Sequence, residues 1–212
     1  MKYLFTLLFF FYLVNQIEVF AQLPKPSSGR IIRTENFSSK HVPARNVDVW
    51  LPDNYTASKK YAVLYMHDGQ MLFDSSITWN KQEWGVDETL NQLMQQNKIR
   101  DCIVVGIWNG GKSRHPEYFP QKPFEALSKE EQQFVYSAYR SGGQSIFSGL
   151  PISSDNYLKF LVEELKPFID KNYSTKTDAS NTFVAGSSMG GLISLYALCE
   201  YPTIFGGAAC LS

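Results

Sequence analysis

The stretch Val184-Ala185-Gly186-Ser187-Ser188-Met189-Gly190-Gly191 decides the fold and the chemistry that this sequence predicts. An apolar, strand-like segment leads into its G-x-S-x-G pattern, and a helical pattern begins at Met189. A strand, a sharp turn and a helix are the context in which this pattern forms a nucleophile elbow, with the serine exposed at the turn. Glycines on both sides let strand and helix approach closely. We therefore expect Ser188 to be a nucleophile; a plain Gly/Ser turn is the alternative interpretation.

Alternating strand and helix patterns fill the rest of the chain. The predicted strands cover residues 30–37, 46–51, 61–66, 102–108, 182–185 and 207–211. Helical patterns cover 86–96, 157–169 (kinked or shortened by Pro167) and 189–200, and a long connection over 109–151 holds one short helix near 129–139. The first two strands suggest an antiparallel pair, and the later alternation predicts a mostly parallel sheet with helices on both faces. The predicted fold class is therefore α/β.

A second motif, Met66-His67-Asp68-Gly69-Gln70, follows the buried strand at 61–66. Ligands bind in open α/β sheets outside the carboxyl ends of the strands, and this motif lies at that edge. Acyl transfer needs two N–H donors aimed at the developing oxyanion. We expect these donors to be the backbone N–H groups of Gln70 and Met189, with Gly69 permitting a tight approach. A simple turn in which Asp68 caps its own backbone is the alternative.

The segments LYMHDGQMLFD (64–74) and FVAGSSMGGLISLYALCEYP (183–202) together resemble the putative-esterase family of α/β-hydrolases. That family includes enterochelin esterases, S-formylglutathione hydrolases, family 1 carbohydrate esterases and mycobacterial mycolyltransferases. The resemblance covers residues 30–212. It implies an α/β-hydrolase fold and a serine hydrolase or acyltransferase in which Ser188 is the nucleophile. It also implies that the Gln70 and Met189 amides form the oxyanion hole.

The expected catalytic acid and base do not follow Ser188 in this chain. In α/β-hydrolases the order is Ser, then Asp or Glu, then His. After Ser188 the sequence has one acid, Glu200, and no histidine. We therefore expect the acid, the histidine and the last strands of the sheet after Ser212, and expect the present chain by itself to be nearly inactive. The apolar edge at 208–211 would then be uncovered and would lower solubility.

Other side chains are candidates for the substrate cleft: His67, Trp108, Arg114 and His115. His67 lies on the predicted oxyanion loop, where a packing or supporting polar role is favoured over that of the base. Arg114 could pair with an anionic substrate or simply be solvated. Large aromatic side chains could form a wall for sugar or catechol rings, although core packing is their commoner role; they are Trp79, Trp84 and Trp108.

The N-terminal sequence predicts export. Lys2 precedes an apolar run over 4–14, which polar residues interrupt before it reaches the ~20 apolar residues that a membrane span requires. We predict a signal peptide over 1–21 with cleavage before Gln22, a linker over 22–29, and the hydrolase domain over 30–212. The protein would be secreted or periplasmic, with no membrane span once the signal is removed.

Charge and cysteine content limit the classes of partner that the sequence favours. The chain has 20 Lys+Arg and 20 Asp+Glu, and it has no dense basic run that would favour nucleic acid. Its three cysteines have no metal-ligand spacing, so we expect neither a metal nor a cofactor, and predict that all three are buried. The expected partner is a small-molecule or carbohydrate ester, or a siderophore-type lactone. An acyltransferase and a non-catalytic remnant are the alternatives to an ester hydrolase.

Overall fold

The computed structural model describes residues 22–139 and 142–212, so the predicted signal peptide lies outside the described residues. In the described part, six strands form one sheet. They are β1 (Arg30–Phe37), β2 (Arg45–Leu51), β3 (Ala62–His67), β4 (Cys102–Ile107), β5 (Thr182–Ser187) and β6 (Gly207–Leu211). All six predicted strands are present, with ends shifted by at most two residues.

The strands lie in the order β1-β2-β4-β3-β5-β6. β1 pairs antiparallel with β2, and β2 pairs antiparallel with β4, whereas β4, β3, β5 and β6 run parallel. Tyr65, in the centre of β3, lies opposite Val105 on one side and Val184 on the other. The predicted mostly parallel α/β sheet is confirmed, and the carboxyl ends of β3 and β5 are neighbours at one edge.

The helices are α1 (Val86–Gln95), α2 (Arg114–Tyr118), α3 (Gln121–Glu125), α4 (Lys129–Tyr136), α5 (Ser154–Lys159), α6 (Lys166–Asn172) and α7 (Met189–Glu200). The prediction placed one helix in the long connection after β4, whereas the structure has three there. α2 and α3 have five residues each, too few to show a helical period in the sequence. Tertiary contacts hold them; for example, the Gln121 N–H donates to Ser154 Oγ at 2.9 Å.

A π-helical segment, Phe160–Leu165, joins α5 to α6. Pro167 lies in the first turn of α6, where the N–H that it lacks would have bonded four residues back into this segment. Wider winding just before Pro167 leaves room for the proline ring, whereas the missing hydrogen bond is not restored, because proline has no N–H. In place of the break or kink predicted at Pro167, the structure has a π-helical segment, and the helix is continuous from Ser154 to Asn172.

Two apolar cores cover the two faces of the sheet. One face packs against α5, the π segment, α6 and α7, through residues such as Phe160, Leu165 and Ile193. The other face packs against α1, through residues such as Val86 and Met94. This arrangement confirms helices on both faces and leaves the strand ends open for a site.

One prediction about the cysteines was wrong. Cys102 in β4 is buried, but Cys199 on α7 and Cys210 on β6 are exposed. Both lie on a surface where Leu192, Leu195 and Leu211 are also exposed. An apolar pattern alone predicted burial, but nothing in the described residues covers this side of β6 and α7.

Residues 22–29 lie along the surface and are hydrogen bonded to the domain. The Lys25 N–H donates to Asp74 Oδ2 at 2.9 Å and the Ser28 N–H donates to Asp87 Oδ2 at 3.0 Å. The Ser28 carbonyl accepts the Trp50 indole N–H at 2.7 Å. Separately, none of the helices in 22–139 and 142–212 has the length and apolar character to cross a membrane.

Candidate active site

Ser188 lies at the sharp turn between β5 and α7, which we call the elbow (residues 186–191). Its φ of 56° and ψ of −120° are a backbone conformation that a side-chain-bearing residue rarely adopts, and its side chain is exposed. The Ser188 N–H donates to the Leu211 carbonyl of β6 at 2.9 Å. The strained residue is therefore tied to the neighbouring strand, and its hydroxyl faces outward.

Two glycines of the elbow are required by close approach. A Cβ at position 186 would lie 2.6 Å from the backbone carbonyl carbon and oxygen of Gly190, so the strand and helix could not meet with a side chain there. A Cβ at position 191 would lie 3.0 Å from the Leu211 carbonyl oxygen. The geometry of the elbow thus depends on direct backbone-to-backbone contacts at these two glycines.

The β3 loop, which we define as residues 68–71, lies beside the elbow. A Cβ built on Gly190 would be 3.5 Å from Asp68 Oδ2, so the loop adjoins the first turn of α7. Gly69 packs on β4 so closely that a Cβ there would lie 2.5 Å from the Gly106 carbonyl carbon. The tight approach expected of Gly69 is therefore an approach to β4.

The two backbone N–H groups expected to bind an oxyanion have no acceptor among the described residues. Gln70 is the central residue of a 3₁₀ turn over Gly69–Met71, and Met189 is the first residue of α7. Neither N–H donates a hydrogen bond in the described part of the chain. N–H groups in the first turn of a helix have no partner within the helix, and such groups bind anions.

Asp68 is held by three side-chain hydrogen bonds, which together we call the charge clamp (Asp68, Asn109 and Arg114). Arg114 Nε donates to Oδ1 at 2.6 Å and Arg114 Nη2 donates to Oδ2 at 2.7 Å. Asn109 Nδ2 also donates to Oδ1, at 2.7 Å. Burial by itself would lower the Arg114 pKa, but its hydrogen bonds and charge interaction with Asp68 outweigh this, so the pKa is raised. Arg114 therefore makes a bidentate, charge-assisted contact with Asp68.

His67 is completely buried behind the β3 loop. Its Nδ1 lies 2.8 Å from the Tyr157 hydroxyl, and its Nε2 has no hydrogen-bond partner among the described residues. Burial is the main cause that lowers the His67 pKa to about 4; Asp68 opposes this shift and Arg114 adds to it. The imidazole is therefore neutral at pH 7 and is held within the fold.

A cleft of about 430 Å³ opens in front of the β3 loop. Its lining combines aromatic rings, amides and the clamp: Asp68, Gln70, Met71, Trp79, Asn80, Trp84, Asn109 and Arg114. Trp79 is 86% exposed, which is unusual for so large an apolar side chain. Asp68 lines this cleft and also lies near Gly190 of the elbow, so the cleft and the elbow are on the same side of the β3 loop.

Two of the predicted cleft residues lie elsewhere. Trp108 donates its indole N–H to Asp48 Oδ2 at 2.7 Å, and the Arg33 guanidinium lies 4.6 Å from the centre of its ring. His115, on α2, lines a second cavity of about 460 Å³ beside Gly111 and Lys112. Arg114 and Gln70 line the cleft itself, and His67 lies behind it.

The described residues do not place a general base on Ser188. Its hydroxyl has no hydrogen bond in this part of the chain. His67 bonds to Tyr157, and His41 Nε2 lies 3.0 Å from Glu163 Oε2. In the same described ranges no group of three or more His, Cys, Asp or Glu side chains could hold a metal ion.

The partners of Asp68 were not predicted from the sequence. Asn109 and Arg114 are 41 and 46 residues away along the chain, and no local pattern links them. The one available signal was position, because both residues follow β4, whose carboxyl end lies beside that of β3. Tyr157 likewise comes from a distant helix.

The fold and the exposed, strained serine between a parallel strand and a helix define an α/β-hydrolase. Residues 39–212 match the model of the family described as "Putative esterase". The chain belongs to this family, and the resemblance found in the two sequence motifs is confirmed.

The chain is similar to curated proteins in sequence and to solved structures in fold. The uncharacterized protein YbbA of Bacillus subtilis is 27% identical over 79% of this chain and 56% of its own length. An IroE-like serine hydrolase from Shewanella oneidensis has the same fold, with a TM-score of 0.62, 22% identity and coverage of 85% of this chain and 50% of that one. A CE1 ferulic acid esterase from Anaeromyces mucronatus gives a TM-score of 0.57 and 21% identity, covering 85% and 57% respectively. The chain thus spans between half and two thirds of the length of these proteins.

Proposed function

We propose that this protein hydrolyses carboxylic esters through a Ser188 acyl-enzyme. The observation that carries the proposal is the conformation of Ser188, exposed with φ 56° and ψ −120° between β5 and α7. Strain of this kind is kept where the surrounding structure forces it, and it is found at active sites. Family membership supports the same chemistry.

The proposed reaction has two steps. Ser188 Oγ attacks the ester carbonyl carbon, its proton passes to a base, and the carbonyl oxygen becomes an oxyanion between the Gln70 and Met189 N–H groups. The intermediate collapses to an acyl-enzyme as the C–O bond to the leaving alcohol breaks and the base returns a proton to that alcohol. Water then attacks the acyl carbonyl carbon while the base takes a proton from it; the bond from that carbon to Ser188 Oγ breaks, the base returns the proton to Oγ, and the carboxylic acid is released. The base and its orienting acid, expected after Ser212, stay predictions.

Ser188→Ala tests the nucleophile. Ser187→Ala is the matched control, because it also replaces a serine by alanine, one residue earlier and on β5. We expect Ser188→Ala to reduce kcat on an activated ester by about 10⁵-fold or more, and Ser187→Ala to change it little. The measurement is the hydrolysis of p-nitrophenyl acetate by protein expressed from the whole of its natural reading frame. Equal rates of hydrolysis by Ser188→Ala and by the unaltered protein would contradict the proposal.

The substrate class rests on the cleft and on the relatives. The proposed substrates are carbohydrate esters or siderophore-type lactones, since a feruloyl esterase and enterobactin esterases are among the similar proteins. The aromatic and amide lining of the cleft suits the rings of either class. A panel of feruloyl-sugar esters and catechol lactones distinguishes them by kcat/KM; failure on both, with acetyl esters cleaved, would contradict this assignment.

We also propose export, supported by the predicted signal peptide over residues 1–21. N-terminal sequencing of protein recovered outside the cytoplasm should begin at Gln22. Recovery of the chain with Met1 intact would contradict cleavage at this position.

A further inference from the structure

We propose that the charge clamp positions the Gln70 N–H for the oxyanion and that Arg114 balances the Asp68 charge beside it. Asp68 and Arg114 act here as positioning residues. The inference rests on the proposed function. Asp68 begins the 3₁₀ turn that carries Gln70, and the Met71 N–H donates to the Asp68 carbonyl at 2.8 Å.

The backbone of Asp68 is in the left-handed region, with φ 58° and ψ 45°. This conformation turns the chain out of β3 and sets the direction of the Gln70 N–H. Asp adopts this conformation more readily than most residues but less readily than glycine, and contacts stabilise it. The Asp68 side chain supplies those contacts by accepting from Arg114 and Asn109.

Asn109 ties Gln70 to the same group. Its side chain donates to Asp68, and its backbone N–H donates to Gln70 Oε1 at 3.2 Å. The Gln70 side chain is therefore fixed by the loop after β4, and its backbone is fixed by the turn that starts at Asp68. The loops after β3 and β4 thus both contribute to the orientation of the Gln70 N–H group.

The charge of Asp68 also bears on the oxyanion. Its Oδ2 lies 3.5 Å from a Cβ position on Gly190, the residue after Met189, and Asp68 itself is two residues before Gln70. An unpaired carboxylate this close to the elbow would repel the developing oxyanion, with little water to screen it because the Asp68 side chain is only 5% exposed. The bidentate guanidinium of Arg114 cancels that charge.

A double-variant cycle separates this role from the alternatives. We expect Arg114→Met to lower kcat by about 100-fold with KM nearly unchanged, comparable to the loss of one oxyanion donor. Asp68→Asn removes the charge as well as part of the clamp, so Asp68→Asn with Arg114→Met should recover about tenfold of that loss. Arg114→Lys restores the charge without the bidentate fork and should be intermediate. Lys112→Met is the matched control, since it removes an exposed cation from the same segment and should leave kcat unchanged.

Two outcomes would overturn the proposal. If Arg114→Met raises KM for anionic esters and the added Asp68→Asn gives no recovery, Arg114 binds substrate directly. If the double variant is slower than both single variants and urea unfolding shows matching losses of stability, the clamp is only structural. Ser188→Ala in the same assay tests the proposed function separately, because residual hydrolysis there means that the reaction does not use this site.

A second measurement does not depend on turnover. The backbone ¹⁵N–¹H resonance of Gln70 should shift in Arg114→Met but not in Lys112→Met. A Gln70 amide that is the same in Arg114→Met and in the unaltered protein would show that the clamp does not position it.

Discussion

The elbow and the β3 loop lie side by side, and each holds one residue at positive φ, yet by different means. Ser188 at the elbow is held by the close packing of glycine backbone and by one backbone hydrogen bond to β6. Asp68 in the β3 loop is held by a bidentate ion pair and an amide. The elbow should therefore be sensitive to added volume, and the β3 loop to charge and protonation.

The largest expected effect on stability at neutral pH comes from volume at the elbow. In Gly186→Ala the new methyl group would lie 2.6 Å from the Gly190 backbone, which cannot rotate away as a side chain can. We expect a loss of about 2 to 3 kcal/mol in the free energy of unfolding together with loss of esterase activity. Urea unfolding measures the first and ester hydrolysis the second.

Gly207→Ala is the control for that substitution, because its methyl group would meet the Phe183 ring at 3.3 Å and rings can shift. We expect it to cost less than about 1 kcal/mol. Equal stability of the two variants would break the comparison, because the elbow would then tolerate volume as well as an ordinary strand does.

An effect of similar size, confined to acidic pH, is expected from protonation behind the β3 loop. The His67 pKa is lowered to about 4, against 6.5 for the free side chain, so the unfolded chain binds this proton more readily than the folded one. The resulting stability is fully present above pH 6.5 and is lost as the pH falls toward 4. The two pKa values imply a change of about 3 kcal/mol over that range.

His67→Asn should remove this part of the pH dependence, as measured by urea unfolding at pH 7 and pH 4.5. His41→Asn is the matched control and should retain it. Burial raises the Asp87 pKa to about 6, and this carboxyl titrates with the opposite sign. The test is therefore the difference between variant and unaltered protein, and an unchanged difference between the two pH values in His67→Asn would contradict it.

The two regions also differ in how visible they were in the sequence. The elbow was predictable, since the glycines, the serine and the flanking periodicities all lie within 20 consecutive residues. The expectation that Gln70 and Met189 supply donors came from the same local motifs and stays a prediction that the geometry favours. The charge clamp was not predictable, because ion pairing between residues 46 positions apart leaves no local trace.

Tertiary packing also decided elements that propensity could not. α2 and α3 are short helices held by contacts with the rest of the domain, including the buried ion pair between Glu117 on α2 and Arg45 on β2 at 2.8 Å. Exposure of Cys199 and Cys210 depended on what lies against α7 and β6, which an apolar pattern does not specify.

By itself, the sequence determined the order of strands and helices, the α/β class, the esterase family and the serine at the turn. These follow from hydrophobic periodicity, glycine geometry and short motifs, all of which act over a few residues. The tertiary structure decided the pairing of β3 with both β4 and β5, the neutral buried state of His67, the cleft and the clamp around Asp68. Those features depend on which distant residues share a low-dielectric space, and only the folded chain brings them together.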